Sequence, residues 1–221
     1  MKKIGVCLSG CGFLDGAEIH EAVCTLLALD QAGVKAVCCA PDVPQPTVVD
    51  HVKREPSRES RNVLVESARI ARGDILDLRK VKAADLDGLI FPGGFGAAKN
   101  LCNFAEQGAK CTVHPEVERL IGEMLDAGKP IGAICIAPAM LARVVGRKGL
   151  SPRMTIGTDR QTAAALTAMG VQHVDCPANE MVCDEGHKIV TTPAYMLATG
   201  PAQVYEGVRK LVNEVVRLAG R

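Results

Sequence analysis

Gly132-Ala133-Ile134-Cys135-Ile136-Ala137-Pro138 is an apolar, strand-like run that ends in a cysteine and passes at once into a helical pattern. A turn of this kind lifts the cysteine side chain above the carboxyl edge of a sheet and aims the first helical amides at it. That stabilises a thiolate and predicts a thiol pKa below the free value of roughly 8.5. The chemistry on offer is nucleophilic. Taken alone, the segment also fits a buried structural cysteine, one of ten in the chain.

Two other segments bear on that choice. Phe91-Pro92-Gly93-Gly94-Phe95-Gly96 reads as a strand halted by glycines, and Gly93 and Gly94 can turn backbone N–H groups into a cleft without side-chain obstruction. Such donors make an oxyanion hole, although a PGG turn by itself can be only a turn. Ser9-Gly10-Cys11-Gly12 forms a glycine-rich loop after the first strand, and Glu18 opens the next helix. Glu18 is either an ordinary first-turn acid favoured by the helix dipole or the acid/base partner of Cys135, with His20 and Glu21 further into the helix. The loop is not a dinucleotide fingerprint, because Asp15 stands where the third glycine belongs. His20, two residues after Glu18, faces mostly away from it, and His51, His114, His173 and His187 lie in no catalytic pattern.

The elements that must position these residues follow a βαβ rhythm: a strand over 3–9, a helix over 17–32 and a strand over 34–40. A proline-rich segment over 41–61 reads as a long loop or a poorly ordered excursion. Further helices are predicted over 62–72, 115–128, 137–145, 161–169 and 203–218. Strands are predicted over 74–78, 89–91, 129–134, 155–157, 181–184 and 188–192. Alternation throughout predicts an α/β fold, with a mostly parallel sheet covered by helices on both faces and function at the carboxyl ends of the strands. The 100–114 loop and the 41–61 segment are candidates for closing the pocket or meeting a partner.

The chain has 221 residues, of which 48% are hydrophobic and 23% charged, enough to bury a core; a single domain over 1–221 is expected. With 26 basic and 25 acidic residues the formal charge is +1, which gives no electrostatic grip on nucleic acid or an anionic membrane. No apolar run is long enough to span a bilayer. The cysteines lie mostly in apolar stretches and form no zinc-ligand spacing, which fits a reducing cytoplasm.

Five ordered motifs together closely resemble ElbB-type proteins of the PfpI-like branch of the class I glutamine amidotransferase-like superfamily. They are Ser9–Gly12 with Asp15-Gly16 and Glu18–Glu21, Phe91–Asn100, Cys135–Met140, Thr155–Asp159 and Ile189–Tyr195, and the resemblance covers essentially the whole chain. The resemblance implies a flavodoxin-like three-layer sandwich. It places Glu18 beside the Cys135 sulfur and makes the amides of Gly94 and Ile136 oxyanion donors. Bacterial members are named isoprenoid biosynthesis glyoxalases, vertebrate relatives are mitochondrial, and homodimers are common in the superfamily. The chain departs from the wider superfamily at Ile136, where many relatives carry a histidine, and has none over Thr155–Asp159. A Cys-His-acid triad is therefore not expected, which disfavours peptide cleavage and glutamine hydrolysis.

A thiol and a carboxyl without a histidine suit addition to an aldehyde followed by a proton shift. The implied substrate is a small dicarbonyl, glyoxal or methylglyoxal, converted to glycolate or lactate with no metal, glutathione or other cofactor. A different small-carbonyl or deglycation activity is a variant of this reading. The rival is a non-catalytic regulatory protein that uses Cys135 as an oxidation sensor.

Overall fold

The structure, a computed structural model, describes residues 1–220. Its first unit is β1 (Lys3–Cys7), α1 (Ile19–Gln31) and β2 (Lys35–Ala40), the strands pairing in parallel from Lys3 with Lys35 to Cys7 with Cys39. The proline-rich excursion holds a two-residue hairpin, β3 (Val49–Asp50) with β4 (Glu55–Pro56), before α2 (Val63–Ile70) and β5 (Leu76–Asp77). Then come β6 (Gly88–Phe91), α3 (Phe95–Lys99), α4 (Phe104–Gln107), α5 (Pro115–Asp126), β7 (Ile131–Ile134) and α6 (Ala137–Arg147). The last elements are β8 (Arg153–Met154), α7 (Arg160–Ala168), β9 (Gln172–His173), β10 (Val182–Asp184), β11 (Ile189–Thr192) and α8 (Pro201–Leu218).

Seven strands form one sheet in the order β10-β11-β7-β6-β1-β2-β5, parallel except for the β10–β11 pair. The period of two along each strand sends alternate residues to opposite layers. Ile4, Val6, Ile90, Ile134 and Val190 pack with α1 and α8, whereas Cys7, Leu89, Phe91, Ile131 and Ala133 pack with α5 and α6. α8 shows the matching helical spacing: Val204, Val208, Leu211, Val212 and Val215 are all fully buried, each such side chain contributing roughly 1.5–3 kcal/mol of transfer free energy. The result is the flavodoxin-like α/β sandwich.

The sheet order decides where chemistry can occur. From β1 the chain moves outward to β2, then returns to place β6 on the other side of β1, so the crevice beyond their carboxyl ends is a topological switch point. The loops leaving β1, β6, β7 and β11 therefore meet above four adjacent strands.

Three expectations need correction. Residues 155–157 are not a strand; the short parallel ladder of β8 with β9 ends at Met154, and the Thr155 N–H donates to the buried Thr191 Oγ1 at 2.8 Å. The 41–61 excursion is folded, with Gln45 N–H donating to the Arg61 carbonyl at 2.8 Å and Val49 N–H to Asp15 Oδ2 at 2.8 Å. Finally, α1 starts at Ile19, with Glu18 in extended geometry as its N-cap. No helix among the described residues is long and apolar enough to cross a membrane.

Candidate active site

Cys135 occupies the one-residue corner between β7 and the turn into α6, with φ at +61°. A side chain at positive φ costs of order 1–3 kcal/mol and persists only where neighbours over-determine it. Here the Cys135 N–H donates to the Thr192 carbonyl at 2.9 Å, and Pro138 sits in the first turn of α6. The corner turns the sulfur towards the N–H groups of Gly94 and Ile136, both of which hydrogen-bond to it. Gly94 reaches this position at φ +87°, and a Cβ there would lie 2.4 Å from the Glu18 nitrogen and 2.5 Å from the Gly16 carbonyl oxygen, so only glycine fits.

The carboxyl that meets the sulfur is Glu21, not Glu18. Glu21 is fully buried and its side chain hydrogen-bonds to Cys135. Its Oε2 accepts the Gly93 N–H at 2.9 Å and its Oε1 accepts the Tyr195 N–H at 3.2 Å. Gly93 is doubly tied to α1, because its carbonyl also accepts the Glu18 N–H at 2.9 Å. Glu18 folds back as the helix cap, taking the Glu21 N–H on Oε2 at 2.7 Å, and lines the cavity instead of touching the sulfur. The reason is register: a cap residue points along the helix axis, while the residue three positions on faces the sheet edge. The buried face of α1, with Glu21, Ala22, Thr25, Ala28 and Leu29, carries the helical period that marks Glu21 as an inward carboxyl.

Electrostatics overturn the expectation of a lowered thiol pKa. Burial, then the nearby Glu21 charge, push the Cys135 thiol well above its ordinary value, and the two backbone N–H donors offset this only in part. Burial also raises Glu21 to about 8, helped by the Glu18 charge, against the Tyr195 and Gly93 N–H groups and the Cys135 contact that favour the carboxylate. Glu18, half-buried, is raised mainly by burial. The sulfur and Glu21 are therefore a coupled pair of weak acids whose lower titration is that of the carboxyl, not an isolated thiolate.

Above the sulfur lies a cavity of about 490 Å³ walled by Glu18, Gly94, Ile136, Phe95, Phe104 and Tyr195, among others. Phe104 comes from α4, so the 100–114 loop does wall the site. Among the described residues no histidine lines the cavity. His20 is exposed and pairs through Nδ1 with the Tyr195 hydroxyl at 2.7 Å, while His114 caps α5. Among the described residues no three His, Cys, Asp or Glu side chains converge to hold a metal ion.

A flavodoxin-like sandwich with a strained cysteine at a strand-to-helix corner defines a class, and comparison with known proteins identifies it. The chain belongs to the DJ-1/PfpI family, whose model matches residues 11–199. Over 99% of its length it is 46% identical to the human "Glutamine amidotransferase-like class 1 domain-containing protein 3, mitochondrial", covering 84% of that protein. It is also 46% identical to the rat "ES1 protein homolog, mitochondrial", covering 85% of it. Among solved structures, an isoprenoid biosynthesis protein with an amidotransferase-like domain from Ehrlichia chaffeensis superposes with a TM-score of 0.90 at 39% identity, over 97% of this chain and 99% of that one.

Proposed function

We propose that the protein is a cofactor-independent glyoxalase acting on small 2-oxoaldehydes, R–CO–CHO + H₂O giving R–CHOH–COO⁻ + H⁺. The observation that carries this reading is the sulfur of Cys135 held between two backbone N–H donors and a buried carboxyl, with a second carboxyl, Glu18, in the cavity wall. The pair loses one proton, the lower titration being that of Glu21, and the Cys135 thiol then passes its own proton to that carboxylate, which gives the reactive thiolate next to a protonated Glu21. The thiolate adds to the aldehyde carbon, and the Gly94 and Ile136 N–H groups stabilise the oxygen as it gains charge. Glu18 removes the proton from the former aldehyde carbon and returns one to the neighbouring carbon through an enediol. That step oxidises the first carbon and reduces the second, leaving a thioester on Cys135. Water then hydrolyses the thioester to the hydroxy acid and frees the thiol.

Among the described residues no histidine lines the cavity, so the Cys-His-acid triad of peptide and glutamine hydrolysis is missing, which weighs against those reactions. A sensing role for Cys135 has less support than catalysis, because sensor thiols are acidic and exposed, whereas this one is 7% exposed and pushed up by its surroundings. All ten cysteines are free thiols, which supports a reducing compartment such as the cytoplasm; the human and rat relatives are named mitochondrial.

The proton shift is tested in deuterium oxide. Lactate formed from methylglyoxal is expected to carry deuterium at C2, and Glu18→Gln is expected to slow turnover by about 10²–10⁴-fold. Lactate wholly protonated at C2 would mean a direct hydride shift and would remove the role given to Glu18.

A further inference from the structure

The chain is poor in aromatic residues, with four phenylalanines, two tyrosines and no tryptophan. Phe91 is spent in the core, yet Phe13, Phe95, Phe104 and Tyr195 all line the one cavity beside Cys135. These four rings come from the loop after β1, the start of α3, the start of α4 and the turn after β11, so no shared element explains their convergence. Ile136 and Met196 complete a largely apolar wall. Phe13 and Phe95 are 40% and 46% exposed, leaving ring surface at the mouth for an apolar group to cover.

The polar part of the lining is equally informative. It holds Glu18, Thr162, Tyr195 and Cys135, and among the described residues no lysine, arginine or histidine. Lys99 passes 5.3 Å from the centroid of Phe95 but donates to the Leu14 carbonyl at 3.4 Å outside the lining. A carboxylate or phosphate on the substrate would meet no cation and would face the Glu18 carboxyl instead. A cavity of about 490 Å³ lies within the roughly 300–1,000 Å³ range that holds drug-sized ligands. Glyoxal and methylglyoxal would leave most of that wall in contact with water.

We infer that the cavity selects an uncharged carbonyl compound bearing an aromatic or branched apolar group. Resting on the glyoxalase reading, this makes the preferred substrate an aryl- or branched-alkyl-substituted 2-oxoaldehyde, with its aldehyde at Cys135 and its apolar group among Phe13, Phe95 and Phe104. For phenylglyoxal the balanced reaction adds one water and yields mandelate.

The test compares kcat/KM of the full chain for methylglyoxal, phenylglyoxal and 4-carboxyphenylglyoxal, with acetophenone and benzoate as unreactive probes of Cys135→Ala by saturation-transfer NMR. Phenylglyoxal is expected to exceed methylglyoxal by at least about 10-fold, since each added carbon in a fitting apolar pocket is worth roughly 10–200-fold. The carboxylated analogue is expected to fall below phenylglyoxal by a similar factor. Phe104→Ala should lower the phenylglyoxal-to-methylglyoxal ratio about 10-fold, a ratio that a merely unstable protein would not move. Methylglyoxal turned over as well as or better than phenylglyoxal overturns the inference and leaves the glyoxalase reading standing. If no oxoaldehyde is turned over, the glyoxalase reading falls, and the probes decide the cavity alone. Acetophenone bound in preference to benzoate then supports a neutral apolar ligand, and no acetophenone signal overturns it.

Discussion

Gly93→Ala is expected to disrupt the site and destabilise the fold together. A Cβ at position 93 would lie 2.5 Å from Cys135 Cβ, 2.7 Å from Glu21 Oε2 and 2.8 Å from the Ile134 carbonyl oxygen. Cys135 Cβ and the Ile134 carbonyl cannot rotate away, and the Glu21 carboxyl, although a side-chain end, is held by the Gly93 and Tyr195 N–H groups. The strand would have to move away from α1, breaking the Gly93 N–H to Glu21 and Glu18 N–H to Gly93 hydrogen bonds. Overpacking a close-packed site costs about 1–3 kcal/mol, and a buried bond lost to a charged-type acceptor costs a similar amount again. Urea unfolding should therefore show a loss above about 3 kcal/mol, and the folded fraction should turn over at least about 10²-fold more slowly, as a misplacement near 1 Å does. A variant with wild-type stability and activity would mean that Gly93 is only a turn.

Glu21→Gln should reduce activity and alter the pH dependence of both rate and stability. Glu21 titrates near 8 in the folded protein against 4.5 when free. The sign follows from proton counts. Below about pH 4.5 the carboxyl is neutral in both states and its burial carries no ionisation cost. Between there and about 8 the unfolded chain releases a proton that the folded one keeps, so stability falls as pH rises, levelling above 8. Glutamine has no such step, but its NH₂ must face either the Gly93 or the Tyr195 N–H, costing about 1–3 kcal/mol for an unsatisfied buried group. The variant should thus be clearly weaker than wild type at pH 5, and the gap should narrow or reverse by pH 9. For the reaction, wild-type kcat/KM should climb to a plateau with an apparent pKa near 8, because the pair must lose one proton to act. The glutamine variant should be slower by about 10²–10⁴-fold, with that limb displaced. A stability gap independent of pH, or an unchanged rate limb, would contradict the coupled-pair account.

The parts of this site that were legible from sequence were those announced by backbone punctuation. Cys135 stands between an apolar strand and a helix with proline in its first turn, and Gly93-Gly94 ends another strand, so both corners could be read before any packing was known. The order of the main-sheet strands and the longer helices was legible for the same reason, whereas the short elements β3, β4, α3, α4, β8 and β9 were not, being too short to show a period, and residues 155–157 bond to the Thr191 side chain and not to a ladder. The choice between Glu18 and Glu21 was not legible, since both follow the same loop and only where α1 begins against the sheet edge separates cap from buried partner. The direction of the thiol's shift was not legible either, because full burial and a carboxyl in contact, both products of packing, outweigh the helix amides. The aromatic wall was hidden because Phe13, Phe95, Phe104 and Tyr195 are scattered over four segments that only the switch-point topology brings together.

Whether Cys135 is the nucleophile of a glyoxalase is decided by proton NMR of the protein and of Cys135→Ala with glyoxal and methylglyoxal, in buffer free of amines and added thiols. Glycolate and lactate should form at about 1 per second or faster with the wild-type chain and not at all above background with the variant. Equal rates for the two proteins, or no product from either, would contradict a glyoxalase built on Cys135.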